Sequence, residues 1–395
     1  MLKTGRGAAV PPFMVMDVIA AANARQARLG SGRAVIRMEV GQPGTGAPAG
    51  AVAAAMAALR DGLPMGYTEA QGRASLRARI ARHYQDWYRT PVDAQRIAVT
   101  VGASGAFPLA FLAAFDAGDR IAIASPFYPP YVNILTSLGM QPVLVEAGPE
   151  TRFQPSIAAL ERLHPRPQGL IVASPCNPAG TMLHPDELAA IGAWCAAEGV
   201  RLISDEIYHG LHYEAPIATA ASIPGAVVIN SFSKYFSMTG WRVGWMVLPE
   251  DLVRPVECLA QNHMISAPHI AQIAAEAAFD CGDELDANVA RYRRSRDLLR
   301  AALPAAGIGL ATPAEGAFYL WADISQRSND AQAFCARLLA EADIAASPGV
   351  DFDRARGSRY VRFSYCGPEA DMAEAARRIT AWAGTGSKTA TGAGR

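Results

Sequence analysis

From residue 96 onward the chain alternates short β-branched runs with helical segments, and this alternation limits the fold more than any other feature. Candidate strands cover 96–102, 120–125, 141–146, 169–174, 200–204, 226–230 and 243–248. The clearest helix between them is Pro185–Glu198. It has Pro at its start, Asp186 and Glu187 in its first turn, an apolar face of Leu188, Ile191, Trp194 and Cys195, and Gly199 at its end. Strands alternating with helices predict an α/β fold, with a mostly parallel seven-stranded sheet flanked by helices. In such folds ligands sit beyond the carboxyl ends of the strands.

The remainder reads as a second, smaller α+β unit. A long Arg-rich helix is expected over 286–303, alternating strands over 318–324 and 360–365, and a closing helix over 372–382. Residues 33–40, distant in sequence, are expected to join this unit, which makes it discontinuous. The expected organisation is 1–45 as an N-terminal arm and part of the small domain, 46–285 as the large domain and 286–383 as the small C-terminal domain. The Gly/Thr/Ala-rich residues 384–395 are expected to form a disordered tail.

Composition narrows the function. Hydrophobic residues make up 51% of 395 residues, enough for a large core. Thirty-six basic residues balance thirty-six acidic ones. This chain therefore lacks the basic excess of a nucleic-acid binder or an anionic-membrane binder. No apolar run is long enough for a membrane span, and the basic N-terminus has no apolar segment behind it, so no signal peptide is expected. The six cysteines fit neither a zinc site nor a disulfide framework, so no metal is expected and reduced thiols in the cytoplasm are.

Only three lysines occur against thirty-three arginines. Lys234 is the single lysine away from the termini, and arginine cannot replace an amine that must become neutral and nucleophilic. Lys234 stands in Ser231-Phe-Ser-Lys-Tyr-Phe-Ser-Met-Thr-Gly-Trp-Arg-Val-Gly-Trp245, directly after an apolar strand. Ser231, Ser233 and Arg242 there supply two hydroxyls and a guanidinium, a kit that suits a phosphate. Ser204-Asp-Glu-Ile-Tyr208 ends another strand, and Asp205 suits either a cationic ring nitrogen or a helix cap. Ser174-Pro-Cys-Asn-Pro-Ala-Gly-Thr181 ends a third, with two prolines fixing the backbone around Asn177. Taken alone it also reads as a plain turn. Val101-Gly-Ala-Ser-Gly105 leads from a fourth strand into an apolar helix, where free amides favour a phosphate. It matches neither nucleotide-binding glycine pattern, GxGxxG or GxxxxGK[ST].

Together these segments resemble the pyridoxal 5′-phosphate (PLP) aminotransferases of class I/II, which share fold type I within the aspartate aminotransferase superfamily. The similarity lies in Asn-Pro-x-Gly, then Asp-x-x-Tyr, then Ser-x-Ser-Lys with an arginine eight residues on, and runs from about Gly41 to Trp382. It implies that Lys234 holds PLP as an internal aldimine, that Asp205 keeps the pyridine nitrogen protonated, and that Tyr208 and Asn177 donate to the ring's phenolic oxygen. Tyr128 would stack on the ring, where many relatives carry Trp. Ala103 and Ser104 would cradle the phosphate, together with Ser231, Ser233 and Arg242, and Ser231 matches more firmly than Ser233. Tyr67 would reach the phosphate of a neighbouring subunit, which implies a homodimer with shared sites. Arg362, in Val361-Arg-Phe-Ser364, would grip the substrate's α-carboxylate, helped by Gly41.

The implied activity moves the amino group of an L-amino acid to a 2-oxo acid by way of pyridoxamine phosphate. Two other readings share the resemblance. One is a carbon–sulfur β-lyase on the same fold. The other is a PLP-sensing regulator module, which would carry a DNA-binding domain ahead of the Gly41 motif, where this sequence has too few residues for one. Cys176 reads as a packing residue, and Tyr235 has no assigned role. Aspartate, alanine, aromatic and branched-chain donors all stay open, as does a second arginine for a distal carboxylate. From the family, 2-oxoglutarate or pyruvate is the expected acceptor.

Overall fold

The computed structural model describes residues 2–30 and 32–386. All seven expected strands form one sheet: β1 (Ile97–Thr100), β2 (Arg120–Ser125), β3 (Gln141–Glu146), β4 (Gly169–Ala173), β5 (Arg201–Asp205), β6 (Val227–Ser231) and β7 (Gly244–Val247). Their spatial order is β1-β7-β6-β5-β4-β2-β3. All are parallel except β7, which runs antiparallel between β1 and β6. The inner strands are buried on both faces, as in Val227-Val-Ile-Asn-Ser231, which explains their continuous apolar runs.

Local signals hold the helices in place. Gly102–Ala114 (α1) follows β1 directly. Its first residue, Gly102, has a φ of +66°, and a Cβ there would meet the Arg242 guanidinium at 2.5 Å, so only glycine fits. The helix Pro185–Glu198 (α2) begins as expected at Pro185. Glu187 closes a capping box by accepting from the His184 amide at 2.8 Å, and Gly199 ends the helix in the left-handed region.

The second unit holds a four-stranded antiparallel sheet: β8 (Gly309–Leu310), β9 (Tyr319–Asp323), β10 (Ser347–Pro348) and β11 (Tyr360–Ser364), in the order β10-β11-β9-β8. The long Arg-rich helix, α3, spans Gly282–Ala305 and packs on the closing helix, α4, at Glu369–Gly386. Residues 33–40 do reach this unit, but as a separate two-residue strand. Ile36–Arg37 pairs in parallel with Ile344–Ala345, and the Met38 carbonyl accepts from the Ser364 amide of β11. The expected tail boundary at residue 384 falls inside α4, because helical hydrogen bonding continues to Gly386. The rest of that expected tail, 387–395, lies outside the described residues.

One apolar core runs continuously from Val228 and Trp245 of the large sheet to Leu320 and Phe363 of the small one. It fixes the two sheets against each other, and the strand ends of both border the same cavity. No helix among the described residues is long and apolar enough to cross a membrane.

Candidate active site

A cavity of about 520 Å³ lies beyond the carboxyl ends of β1, β4, β5 and β6, under the first turn of the N-terminal helix Met14–Leu29. Its wall contains Gly41, Ala103, Ser104, Tyr128, Asn177, Asp205, Tyr208, Ser233, Lys234, Arg242 and Arg362, so eleven of the thirteen residues singled out from sequence come together there. This convergence follows from topology, since each parallel strand delivers its following loop to the same sheet edge.

Lys234 lies in the loop after β6, and its Nζ donates to the Gly41 carbonyl at 2.6 Å. Burial pulls its pKa down to about 8, and the Arg362 and Arg242 guanidiniums push the same way. Asp205 ends β5 on the cavity floor. Burial raises its carboxyl to about 6, against the pull of hydrogen bonds from the Tyr131 hydroxyl and from the Ile207 amide at 3.0 Å. A buried acid in this state gains from a cationic partner.

Arg362 sits in β11, between Trp321 of β9 and Ser347 of β10 in register. Its guanidinium donates to Asn177 Oδ1 at 2.8 Å, to the Glu39 carbonyl, and to Ser347 Oγ at 3.3 Å. The aromatic faces of Tyr319 and Phe352 lie 4.4 and 4.7 Å away. Charge-assisted bonds are worth roughly 1.5–3 kcal/mol each, so the fork is held rigidly. Three acceptors meet five N–H donors, and Nε has no partner in the protein. The group is therefore oriented and incompletely satisfied, the state that suits a carboxylate ligand.

At the opposite end, α1 directs its free N-terminal amides at the cavity beside Ala103 and Ser104. Arg242 Nη1 donates to the Thr239 carbonyl at 2.8 Å, and Nη2 lies 3.5 Å from Ser104 Oγ. Ser233 lines the cavity, whereas Ser231 stands behind it. The Ser231 hydroxyl donates to Ser233 Oγ at 2.9 Å and approaches the Val243 carbonyl at 3.2 Å. Tyr67 is outside this chain's cavity, with 82% of its surface exposed. The cavity lining fits the donor set of a phosphorylated pyridine aldehyde. Helix amides, two hydroxyls and a guanidinium suit the phosphate, a buried carboxylate suits the ring nitrogen, and a depressed lysine suits the aldehyde.

Sequence reasoning missed Tyr131 and Tyr319. Tyr131 bonds Asp205. Tyr319 bonds Tyr208, hydroxyl to hydroxyl, at 2.7 Å. Their partners lie 74 and 111 residues away, and only the closed sheet reveals such pairs. Also missed was the N-terminal helix, whose Phe13, Met16 and Ile19 roof the cavity. Tyr128 meets Phe13 edge to face at 5.9 Å. Cys176 packs with Phe153 and Trp321, and burial pushes its thiol up to about 12, which makes it unreactive. Tyr235 donates to Asp286 Oδ1 at 2.7 Å and ties the lysine loop to α3.

Comparison with known proteins decides the family. The sequence profile described as aminotransferase class I and II matches residues 33–379. The chain belongs to this family. It is 49% identical over 380 residues to a valine–pyruvate aminotransferase of Mycobacterium tuberculosis, covering 95% of this chain and 97% of that protein. A crystal structure of an aminotransferase from Mycobacterium tuberculosis superposes with a TM-score of 0.94 at 48% identity, covering 98% of this chain and all of the other. The aspartate aminotransferase of Thermus thermophilus with maleate gives 0.90 at 30% identity, covering 96% of this chain and all of the other. This aminotransferase thus has the fold expected from its sequence. Its activity is the transfer of an amino group between an amino acid and a 2-oxo acid, with pyridoxal 5′-phosphate as cofactor.

Proposed function

We propose that the amino donor is a branched aliphatic amino acid such as valine, and the acceptor pyruvate. One observation carries this reading. Among the described residues the cavity wall holds three cations, Lys234, Arg242 and Arg362, and each has a task before a side chain is considered. Around the mouth stand Phe13, Val15, Met16, Ile19 and Ile134. A distal carboxylate would be buried there without a partner, whereas an isopropyl group would gain roughly 1.5–3 kcal/mol from burial. The 49% identical relative named valine–pyruvate aminotransferase supports the same choice.

In this reading Arg362, braced by Asn177 and the Glu39 carbonyl, binds the α-carboxylate and orients the donor's Cα–H toward Lys234. Lys234 Nζ would be the general base that accepts and returns this proton. The cofactor supplies an electron sink for the Cα–H bond pair. Asp205, held by Tyr131, would keep a proton at the ring nitrogen, and Tyr208 would donate to the ring oxygen. Tyr128 would pack against the ring. Ala103, Ser104, Ser233 and Arg242 would hold the phosphate, with Ser231 orienting Ser233. Residues 46–285 then hold the cofactor, while residues 1–45 and 286–383 close over the donor.

The working form in this reading is a homodimer in which Tyr67 serves the site of the second copy. Its exposure supports this, as do Met56 and Leu59 of the preceding helix, Ala49–Arg60, which are 65% and 59% exposed. Six free thiols suit a reducing cytoplasm. A panel of donors with pyruvate tests the substrate. Valine, isoleucine or leucine should exceed aspartate in kcat/KM by about 100-fold or more. Aspartate or glutamate as the better donor would overturn the assignment.

A further inference from the structure

We propose that Tyr319 is a positioning residue that couples the carboxylate grip at Arg362 to the hydroxyl of Tyr208. The inference rests on the roles given above to Arg362 and Tyr208 and deepens them.

Tyr319 touches three parts of the site at once. Its hydroxyl bonds that of Tyr208 at 2.7 Å. Its ring face lies 4.4 Å from the Arg362 guanidinium carbon. Its hydroxyl also fills the space beside Gly41, where any Cβ would overlap it. The Gly41 carbonyl is in turn the acceptor for Lys234 Nζ. Tyr319 is fully buried and opens strand β9, with its backbone paired to Ser364 of β11. It has no room to swing away.

Proton counting gives the direction of the coupling. The two phenols share two protons, and one of these lies in the bond between them. If Tyr319 donates to Tyr208, the Tyr208 proton is free for an oxygen in the cavity, and the chain of donors strengthens that second bond. The Arg362 charge over the Tyr319 ring makes its hydroxyl the better donor, which favours this arrangement. An anion seated on Arg362 neutralises part of that charge. Tyr319 then donates less strongly, and Tyr208 loosens its hold on the ring oxygen. Carboxylate binding at one end of the cavity is thereby felt at the other, through one side chain.

The test is a spectrophotometric pH titration of the PLP-loaded protein, with and without an amine-free aliphatic carboxylate such as 3-methylbutyrate. A donor to the ring oxygen stabilises its phenolate and so favours the deprotonated chromophore. Tyr319→Phe should therefore raise the midpoint by about threefold or more in proton affinity and shrink the further rise caused by 3-methylbutyrate. It should lower kcat about tenfold and change donor KM less than about threefold, because the ring under Arg362 is kept. Tyr319→Leu removes that ring and should raise KM as well. In a Tyr208→Phe background, Tyr319→Phe should add no further shift of midpoint.

Equal midpoints for wild type and Tyr319→Phe would overturn the proposal. So would the same Tyr319→Phe shift persisting without the Tyr208 hydroxyl. Cofactor content and melting temperature show whether each variant is folded and loaded. A wild-type protein that never transaminates would instead refute the reading of the site, so the two failures are distinct.

Discussion

Lys234 is drawn into the protein beside two guanidiniums, and burial first, then their charge, lowers its pKa to about 8 from an ordinary 10.5. Only the neutral amine attacks an aldehyde. The rate at which unloaded protein captures pyridoxal 5′-phosphate should therefore rise about tenfold per pH unit up to roughly 8 and then level off. Stopped-flow absorbance checks this, and a rate still climbing at pH 9.5 would mean an unperturbed lysine. Lys234→Arg keeps the charge but not the chemistry, so turnover should fall by about 10³-fold or more. Asp205 has the opposite signature. Its carboxyl is raised to about 6 from 3.8, so between those values the native protein holds a proton that the unfolded chain has released. Stability of the unloaded protein should fall as pH climbs through that window, and the loss should be complete above it. Asp205→Asn should make the profile of melting temperature shallower between pH 4 and 6, the remaining slope coming from the neighbouring buried Glu206, raised to about 7, and an unchanged slope would mean that Asp205 contributes none of it. At this scale the site was legible where residue type and local motif agree, as at Lys234, Asp205 and Asn177. It was illegible at Tyr131 and Tyr319, whose meaning lies in partners brought close by the fold.

At the scale of elements, short β-branched runs, buried on both faces in the inner strands, revealed all seven strands of the large sheet, and capping signals revealed α2 to the residue. The two-residue strand Ile36–Arg37 carries no such pattern and exists because Ile344–Ala345 pairs with it. The N-terminal helix was lost for a related reason. Its sequence offers no side-chain cap, and the missing acceptor comes from a distant chain segment. Asp351 accepts from the Met14 and Val15 amides, both at 3.3 Å. This carboxylate holds the roof of Phe13, Met16 and Ile19 over the cavity. Asp351→Ala should loosen that roof and raise donor KM by about 3- to 30-fold, with a smaller effect on kcat. A KM unchanged for valine would show that the helix stays closed without its tether.

At the scale of the whole molecule, two sheets built from different patterns share one core and one cavity, so each supplies half of the chemistry. The large sheet carries the lysine, the acid and the phosphate end, and the small sheet carries Arg362. In each half the protein alone leaves a group incompletely satisfied: burial disfavours the charged forms of Lys234 and Asp205 in the large one, and Arg362 Nε has no protein partner in the small one. Loading with cofactor should raise the melting temperature by about 5 °C or more at saturation. Lys234→Ala should retain part of that rise, because the phosphate end and Asp205 are intact. The most direct test of the account is a half-reaction. Protein loaded with pyridoxal 5′-phosphate is mixed with valine, without any keto acid, while absorbance is recorded. The account requires the yellow band to give way to the shorter-wavelength band of the aminated cofactor, 3-methyl-2-oxobutanoate to appear in equal amount, and pyruvate to restore the yellow band. A yellow band that valine leaves unchanged while aspartate bleaches it, or a cysteine conjugate that yields ammonia, pyruvate and thiol with no lasting bleach, would contradict it.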